Sequence, residues 1–504
     1  MKAAWWSGEH SRKIRARVVV EGKLALETPA HFSNGDTDEL VDMPLLVDPF
    51  DGQTPLLTGA SLAGALRSYL REREEGFNSP SRAGSSVNLL FGEKKRKGNG
   101  ECSNSGDEGE QSLLIVDDAL GKNFGVEYRH GVVIDPESRT AQGRKLFDYQ
   151  LWEAGTVFPL RFELLIPERA EAGHLKKALA TALEGFSDGS ITLGARKRRG
   201  FGRVSVRRWR VKTYDLATTE GLLDWIENGG KPLSDQNVEE FTDIKEALGV
   251  KETIADRRSF FRLKAVFSLE GSLLVRSGGG KDDRGPDMVH LSSRRRNADG
   301  PVPVLPGTSL GGALRARALK IVNTLSAGGC GKKIVDALFS EEIEGKQQPR
   351  ASRIILSESV IKGGKTELVQ NRVAIDRFTG GALETALYNE QPVFGRDGAL
   401  LEMDLFLIKP EEHEIGLLLL LLKDLWTGDL PLGGEAGIGR GRLKGKVATM
   451  EFTQVNGDSK RYTIEAEGDV LRVEPELSKK LESCVEALIT LIRRLEERRN
   501  EARD

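Results

Sequence analysis

The sequence predicts an α+β protein that consists of two tandem domains of similar structure, because three stretches of the chain are repeated. Residues 56–67 and 304–315 are identical at eight of twelve positions, with an offset of 248 residues between Gly59 and Gly307. Two further pairs follow in the same order at offsets of 240 and 239 residues: 112–118 with 352–358, and 193–203 with 432–442. Collinear matches at nearly constant spacing indicate a duplicated domain rather than a solenoid of short repeats.

Each half has the same predicted order of elements. A strand comes first, a Gly-Ser-Leu turn starts a helix that Ser61 or Ser309 is placed to cap, and a second strand follows. After an irregular stretch come an alternating strand, a helix, a Gly-rich turn and a last strand. The predicted strands are 14–21, 113–117, 157–165 and 200–207 in the first half and 261–269, 353–358, 401–408 and 439–449 in the second, and the long later helices are 174–186 and 412–426. Strand-helix-strand repeated twice is the ferredoxin-like pattern.

Composition shifts divide the chain into four parts. We predict a first module at 1–214 with a mobile, Gly- and Ser-rich insertion at about 75–110, and a polar linker with short helices at 215–258. A second module follows at 259–455, and a tail at 456–504. Apolar residues at three- and four-residue steps predict an amphipathic helix in this tail, which docks either on its own core or on a neighbouring subunit.

The charge and the cysteine content restrict the classes of protein to which this chain can belong. The net charge is −2 despite 74 Lys and Arg residues, so a nucleic-acid surface would require local clustering of cations. The three cysteines are far apart, which argues against a zinc ribbon or a disulfide framework and favours the reducing cytoplasm. The start of the chain has no signal-peptide core, and the longest apolar run, 417–422, is too short to span a membrane.

Two motifs resemble a known family. The stretch Pro-Gly-Thr-Ser-Leu-Gly-Gly-Ala-Leu-Arg at 306–315 and the Gly-Ile-Gly-Arg-Gly-Arg end at 437–442 resemble the RAMP superfamily of CRISPR proteins. Both halves look like the repeated backbone subunit of type III effector complexes, and two such modules in one chain resemble the fused backbone proteins of type III-D systems. The resemblance implies two RRM-like modules with thumb insertions, each holding guide RNA along a palm while a thumb hairpin splays one guide–target base pair. The implied partners are guide RNA, single-stranded target RNA and other subunits of the complex, with no membrane.

The resemblance also implies catalytic residues. In the family, a loop before the Gly-Ser-Leu motif carries an aspartate needed for metal-dependent cutting of target RNA, and Asp42 matches it, two residues before Pro44. Asp287 aligns with Asp42 at an offset of 245 residues, although the proline now precedes the aspartate. His31, together with Gly35 and Asp36, resembles the family's His-x-Gly-Gly-x-Asp turn and is a third catalytic candidate, although Ser33-Asn34-Gly35 replaces the glycine pair. No histidine of the second half matches His31, and Arg276 is the nearest residue in register there. Mg²⁺ or another divalent cation is the implied cofactor, held by Asp42 and Asp287 through water or phosphate.

Because its sequence varies, a guide RNA must be bound through its phosphate backbone rather than its bases. Clusters of cations beside glycines can make such phosphate contacts. The helices after Gly59 and Gly307 also offer N–H groups to phosphate. The predicted RNA-binding residues are Arg67, Arg196, Lys197, Arg198, Arg199, Arg203, Arg294, Arg295, Arg315, Arg440 and Arg442.

Other interpretations remain open from the sequence alone. A loop aspartate can serve only to cap a turn, and an arginine cluster can be a solvated face. Three functions fit: an endoribonuclease subunit that cuts guide-paired RNA, a scaffold that only binds guide RNA, and a metal-independent guide-processing ribonuclease. The third usually relies on acid–base groups that include histidine, and the histidines do not recur between the halves whereas an aspartate does.

Overall fold

A computed structural model describes most of the chain. The described residues are 13–33, 35, 44–82, 84–94, 109–135, 141–278, 285–326, 330–340, 351–395, 398–467 and 470–501. Within them, no helix has both the length and the apolar character needed to span a bilayer.

The first module is an antiparallel sheet with helices on one face. Its elements are β1 (Ile14–Leu26), β2 (Leu56–Leu57), α1 (Gly59–Glu75), α2 (Ser86–Phe91), β3 (Glu93–Lys94), β4 (Gly109–Glu110), β5 (Leu114–Val116), β6 (Ala119–Leu120), β7 (Val126–Ile134), β8 (Ala141–Trp152), β9 (Val157–Pro167), α3 (Ala172–Ser187), a 3₁₀ turn (Lys197–Arg199) and β10 (Val204–Asp215). The strand order β10-β1-β9-β5 is the ferredoxin-like arrangement that the sequence predicted. Alternate side chains such as Val18, Val20 and Phe162 pack on Leu62 and Leu183 of the helices.

The segment predicted as a linker packs on the first module. It contains α4 (Thr219–Asn228), a 3₁₀ turn (Leu233–Gln236), β11 (Glu240–Phe241) and α5 (Ile244–Leu248). Strand β11 extends the first sheet beside β10. Leu233 and Trp225 cover the outer face of the sheet at Val19 and Tyr214. The short helices were predicted; their burial against this face was not, because a polar sequence gives little sign of it.

The second module repeats the first. Its elements are β12 (Phe260–Glu270), β13 (Ser272–Leu273), β14 (Arg276–Gly278), β15 (Met288–His290), β16 (Ser292–Arg294), β17 (Pro301–Leu305), α6 (Gly307–Leu325), α7 (Gly331–Phe339), β18 (Ile354–Leu356), β19 (Ser359–Lys362), β20 (Gln370–Ile375), β21 (Ala382–Gln391), β22 (Val393–Phe394), β23 (Leu400–Ile408), α8 (Glu412–Trp426), a 3₁₀ turn (Ala436–Ile438) and β24 (Arg442–Thr453). Strands β24-β12-β23-β18 reproduce the order of the first sheet. The duplication inferred from the sequence is therefore a duplication of fold.

The tail completes the second module. Strands β25 (Ser459–Glu467) and β26 (Val470–Arg472) extend the second sheet beyond β24. Helix α9 (Pro475–Glu501) packs on α8, with Cys484, Leu488 and Ile492 buried in the second core. The sequence left open whether the amphipathic helix docks on its own core or on a neighbouring subunit, and in the structure it docks on its own core.

Two local predictions were wrong. The helix α1 is capped by Thr58, whose hydroxyl accepts the N–H of Ser61, and the cap position of α6 is occupied by Pro306. Ser61 and Ser309 therefore lie inside the helices rather than at their caps. Within the predicted mobile insertion, helix α2 buries Val87 and Leu90 in the first core.

The two modules contact each other through charged side chains. Arg129 of β7 forms a buried ion pair with Glu358, which follows β18, and Arg295 pairs with the same carboxylate. Burial alone would raise the pKa of Glu358, yet the two guanidinium groups outweigh it and hold that pKa below its ordinary value. Arg294 pairs with Glu153 at 3.1 Å on the rim of this contact.

Candidate functional site

Both modules carry the same Gly-rich loop before their last strand. In each, a left-handed residue, Arg196 or Glu435, begins the 3₁₀ turn, and a left-handed glycine, Gly200 or Gly439, ends it. An amino-acid side chain at either glycine would be strained, so glycine is needed for the turn. The two loops therefore superimpose residue by residue at the offset of 239 found in the sequence.

Each loop is bonded to the segment that follows the first strand of its module. The N–H of Ala195 donates to the carbonyl of His31 at 2.9 Å, and the N–H of Gly434 donates to the carbonyl of Leu274 at 2.8 Å. Leu274, which is fully buried, is thus the structural equivalent of His31. The sequence register that put Arg276 nearest to His31 was wrong by two residues.

His31 is buried beside the first Gly-rich loop. Its Nδ1 lies 2.8 Å from the carbonyl oxygen of Gln150, so Nδ1 carries the proton that it donates there. Burial lowers the pKa of His31 below its ordinary value, and the nearby Arg196 cation lowers it further against the effect of the Gln150 carbonyl. Its Nε2 is buried and has no hydrogen-bond partner among the described residues. His31 therefore has a buried acceptor nitrogen without a partner in the described part of the chain, eleven residues before Asp42 in the sequence.

Asp42 itself lies outside the described residues, as does Asp36. The described flanks of this segment, Ser33 and Leu45, form a β-bridge. Asp48, six residues after Asp42, accepts the N–H of Phe50 at 3.1 Å in a tight turn.

Asp287 is exposed and is held against the second hairpin. Its N–H donates to Oδ1 of Asn389 at 2.7 Å, and its Oδ2 accepts the N–H of Asn389 at 2.8 Å. The reciprocal pair fixes Asp287 beside β21, the inner strand of the hairpin formed by β20 and β21. Its other carboxylate oxygen has no hydrogen bond within the described part of the chain, so it can face a ligand.

The donor set at Asp287 fits a hydrated divalent cation rather than a preformed metal cage. Across the described segments, no three His, Cys, Asp or Glu side chains converge on one point. A hard cation such as Mg²⁺ needs only one or two carboxylates when waters and phosphate oxygens supply the other ligands. Asp287 therefore has the chemistry to hold such a cation together with bound RNA.

The cations of the first Gly-rich loop divide into two groups. Arg196 stacks over the rings of Phe147 and Tyr149 at 4.6 and 4.5 Å, and Lys197 is exposed. Arg198 and Arg199 face the second module: Arg198 donates to the carbonyl of Ser352, and the Arg199 guanidinium packs on Gly311. Arg203 donates to the Ser357 hydroxyl at 3.4 Å.

The predicted RNA-binding residues Arg294 and Arg295 also lie in this contact between the modules, paired with Glu153 and Glu358. The sequence assigned Arg198, Arg199, Arg203, Arg294 and Arg295 to RNA. In the structure, Arg198, Arg203 and Arg294 make polar contacts with the other module. The Arg199 guanidinium packs on Gly311 of the other module, and Arg295 pairs with Glu358 of its own module. The missed signal was in the repeat: the second loop has Ala436-Gly437-Ile438 where the first has Lys197-Arg198-Arg199. The absence of counterparts to Arg198 and Arg199 in the second loop indicated that these two arginines serve the contact between the modules rather than a function common to both.

In the second loop, Arg440 is only 3% exposed. Its guanidinium pairs with Glu390 at 3.1 Å and with Glu435 at 3.0 Å, and Arg372 pairs with both carboxylates. Burial and the neighbouring Glu435 raise the pKa of Glu390. Arg440 therefore joins the hairpin to the loop and has no accessible face for a phosphate.

Three other cations predicted to bind RNA are on helices or at the start of a strand. Arg442, which opens β24, is exposed. Arg67 on α1 is exposed and donates to the carbonyl of Gly92 at 3.3 Å, whereas Arg315 on α6 pairs with Asp336 at 2.6 Å. Arg67 and Arg442 thus remain accessible to a polyanion.

Both modules project a hairpin with an exposed apolar stripe. Tyr128, Val132 and Ile134 on β7 recur as Val369, Val373 and Ile375 before and along β20, and all six are at least 39% exposed. The sequence analysis did not predict this apolar stripe. The alternation of exposed apolar residues with residues that pack inward, such as Arg129, was the available signal.

The tip of the second hairpin presents an aromatic ring. Phe378 is 95% exposed, on a turn in which the Asp376 carboxylate accepts the Phe378 N–H at 3.1 Å and the Thr379 hydroxyl at 2.8 Å. An exposed ring on a fixed turn is suited to stacking.

The family model for the RAMP superfamily matches residues 23–205 and 267–444. The two matches fall on the two modules and together cover more than half of the chain. No curated protein matches the sequence.

Proposed function

The chain belongs to the RAMP superfamily of CRISPR-associated RNA-binding proteins, and we propose that it is a type III backbone subunit that binds guide RNA and cleaves paired target RNA with one aspartate per module. The main support is the recurrence of a loop aspartate, Asp42 and Asp287, at corresponding positions of the repeated sequence. In the second module this aspartate is exposed next to the base of the hairpin.

Guide RNA would be held through its phosphates by the cations that remain accessible. Lys197, Arg67 and Arg442 are exposed, and Arg196 presents a guanidinium stacked on two aromatic rings. Phosphate contacts are independent of sequence, which suits a guide whose sequence varies.

Replacing Lys197 by Ala is expected to weaken guide RNA binding uniformly for all guide sequences. The slope of log affinity against log salt should fall by about one, because one phosphate contact is lost. Filter binding at several salt concentrations measures both quantities. Lys460→Ala, which removes another exposed cation, from β25, is the matched control and should change neither. Equal effects of the two substitutions would contradict a specific role for Lys197.

The apolar stripes support a role for the hairpins in opening the duplex. Apolar side chains inserted between bases unstack them and kink a helix, at a cost of a few kcal/mol per step. A displaced base frees the neighbouring ribose to adopt the in-line geometry that strand cleavage requires. The hairpin, Asp287 and the Gly-rich loop lie next to one another, so one module would both distort the target and cut it.

Cleavage would use the nucleophile that RNA already contains. The 2′-hydroxyl oxygen attacks the adjacent phosphorus, the bond to the 5′-oxygen breaks, and the hydroxyl proton passes to a base. Asp42 or Asp287 would accept this proton or hold the hydrated cation that neutralises charge on the phosphate. In the first module, the free Nε2 of His31 is a second acceptor near the same segment.

Metal dependence separates the proposed function from the alternatives. The assembled complex with guide is incubated with labelled complementary RNA in Mg²⁺, with and without EDTA. We expect cutting that EDTA abolishes. Cutting that survives EDTA would favour a guide-processing ribonuclease, and the absence of any cutting would favour a scaffold.

A further inference from the structure

Helix α4 presents apolar side chains to solvent as well as to the first sheet. On its inner side, Trp225 packs on Tyr214 of β10, with the two ring centroids 5.1 Å apart. On its outer side, Leu222, Leu223 and Ile226 are 43%, 53% and 69% exposed. Leu222 and Ile226 lie one turn apart and Leu223 lies beside them, so the three form a continuous stripe, which we call the α4 stripe. Exposed apolar surface of this kind usually marks a contact.

The α4 stripe lies outside the duplicated modules. The family model matches residues 23–205 and 267–444, and α4 falls between the two matches. After the second module the chain continues from β24 into strand β25, whereas after the first it continues from β10 into α4. A function common to the two modules therefore does not account for the stripe.

The first strand of the chain begins beside the start of α4. The N–H of Leu216 donates to the carbonyl of Arg15 at 2.8 Å, and Leu216 is three residues before Thr219, the first residue of α4. Residues 1–12 are joined to this strand at Lys13. They are therefore attached to the fold next to the N-terminal end of α4.

Residues 1–12 have the apolar side chains and the length to cover the α4 stripe. They contain Trp5 and Trp6, two of the six tryptophans of the chain. Each indole can bury about 150–250 Å². Trp6 is seven residues before Lys13, and a chain of that length spans at most about 24 Å. Helix α4 has ten residues and is about 15 Å long, so the segment is long enough to reach the stripe.

The charges of the two partners are complementary. Glu220 and Glu227 of α4 are exposed on either side of the stripe along the helix. Residues 1–12 carry Lys2 and Arg12 against a single acid, Glu9. Opposite charges around an apolar contact orient the partners and exclude wrong ones.

We propose that residues 1–12 dock through Trp5 and Trp6 on the α4 stripe of the same chain. The contact would cover α4 from its solvent side, while Trp225 holds its inner side on the first sheet. It uses neither the Gly-rich loops nor the candidate aspartates, so it is independent of RNA binding and of cleavage.

Trypsin cleavage after Arg12 in the full-length chain, freed of RNA and followed by mass spectrometry, tests the proposal. Ile226→Glu puts a charge into the stripe and should speed this cleavage by about tenfold, because cleavage follows the population of the undocked segment. Val455→Glu makes the same change at a residue that is 61% exposed and distant in sequence from α4, and it should leave the rate unchanged.

A cycle of variants distinguishes docking from damage to α4. Trp5→Ala/Trp6→Ala should speed the cleavage as much as Ile226→Glu does, and combining all three substitutions should add nothing further. Acrylamide quenching of tryptophan fluorescence is the second readout. Ile226→Glu should increase quenching in the wild-type background and leave it unchanged in the Trp5→Ala/Trp6→Ala background.

Three results would overturn the proposal. The first is equal cleavage and quenching in the wild type and Ile226→Glu, which would mean that residues 1–12 do not cover the stripe. The second is additive effects of the substitutions on the two sides, which would mean that they act separately. The third is a protection that rises with protein concentration, which would mean that the stripe binds a second copy of the chain.

Discussion

Glu358→Ala is expected to lower the free energy of unfolding by about 3–5 kcal/mol, the usual cost of removing one partner from a buried ion pair. Glu358 is fully buried between the modules and neutralises both Arg129 and Arg295. Without it, two guanidinium groups remain in a site with little access to water. Urea unfolding followed by circular dichroism measures the loss. Glu402→Ala, at an exposed position of β23, is the control that should change stability by less than about 0.5 kcal/mol.

The same experiment separates an uncompensated charge from lost packing. Combining Glu358→Ala with Arg295→Ala removes the carboxylate and one guanidinium group and leaves Arg129 paired with Glu127 at 2.6 Å. This double variant should recover part of the stability that the single substitution loses. A single variant as stable as the control would mean that the modules are held together by other contacts. Those contacts would then be the ones at Arg198, Arg199 and Gly307.

Asp42→Ala is expected to slow one of two target-RNA cuts by at least about 10²-fold, the scale of a lost general base, while guide binding is unchanged. Asp287→Ala should do the same to the other cut. Single-turnover cleavage by the assembled complex gives the rates, and a guide-binding titration of each variant gives the affinity. Asp299→Ala replaces another exposed aspartate of the second module and should alter neither quantity.

Loss of guide binding in the Asp42→Ala variant would point to a structural role for Asp42. If Asp42→Ala abolishes guide binding along with cutting, Asp42 maintains the loop rather than the chemistry. His31→Asn would then decide whether the neighbouring imidazole contributes to the same cut, since it should lower the rate without affecting the second module.

The fold was largely predictable because the duplication gives two copies of each pattern of strands and helices. The strand and helix patterns of one half could be checked against the other, and the long helix Glu412–Trp426 was predicted with its observed bounds. The caps were not predicted, because Thr58 and Pro306 occupy the same position of the repeated stretch but differ between the halves, whereas the serine three residues later is shared.

The candidate site was less predictable, because a cluster of arginines has the same sequence signature whether it binds phosphate or carboxylate. Arg198 donates to the carbonyl of Ser352, which lies in the other module 154 residues along the chain. Arg295 pairs with Glu358, which also pairs with Arg129 of the first module, 229 residues away. Such a pairing depends on how the modules are placed. Arg440 follows the Gly-rich pattern, yet its burial depends on Glu390 in the hairpin, a residue that no motif marks.

The central claim is that a duplicated fold carries duplicated nuclease sites, and the product pattern of an end-labelled target RNA tests it most directly. The assembled complex is compared as wild type, Asp42→Ala, Asp287→Ala and the double variant in Mg²⁺. Two cuts at a fixed spacing, each lost in a different single variant and both lost in the double variant, are the result expected. A product ladder unchanged in the double variant would contradict the claim and make the chain a scaffold whose neighbours do the cutting.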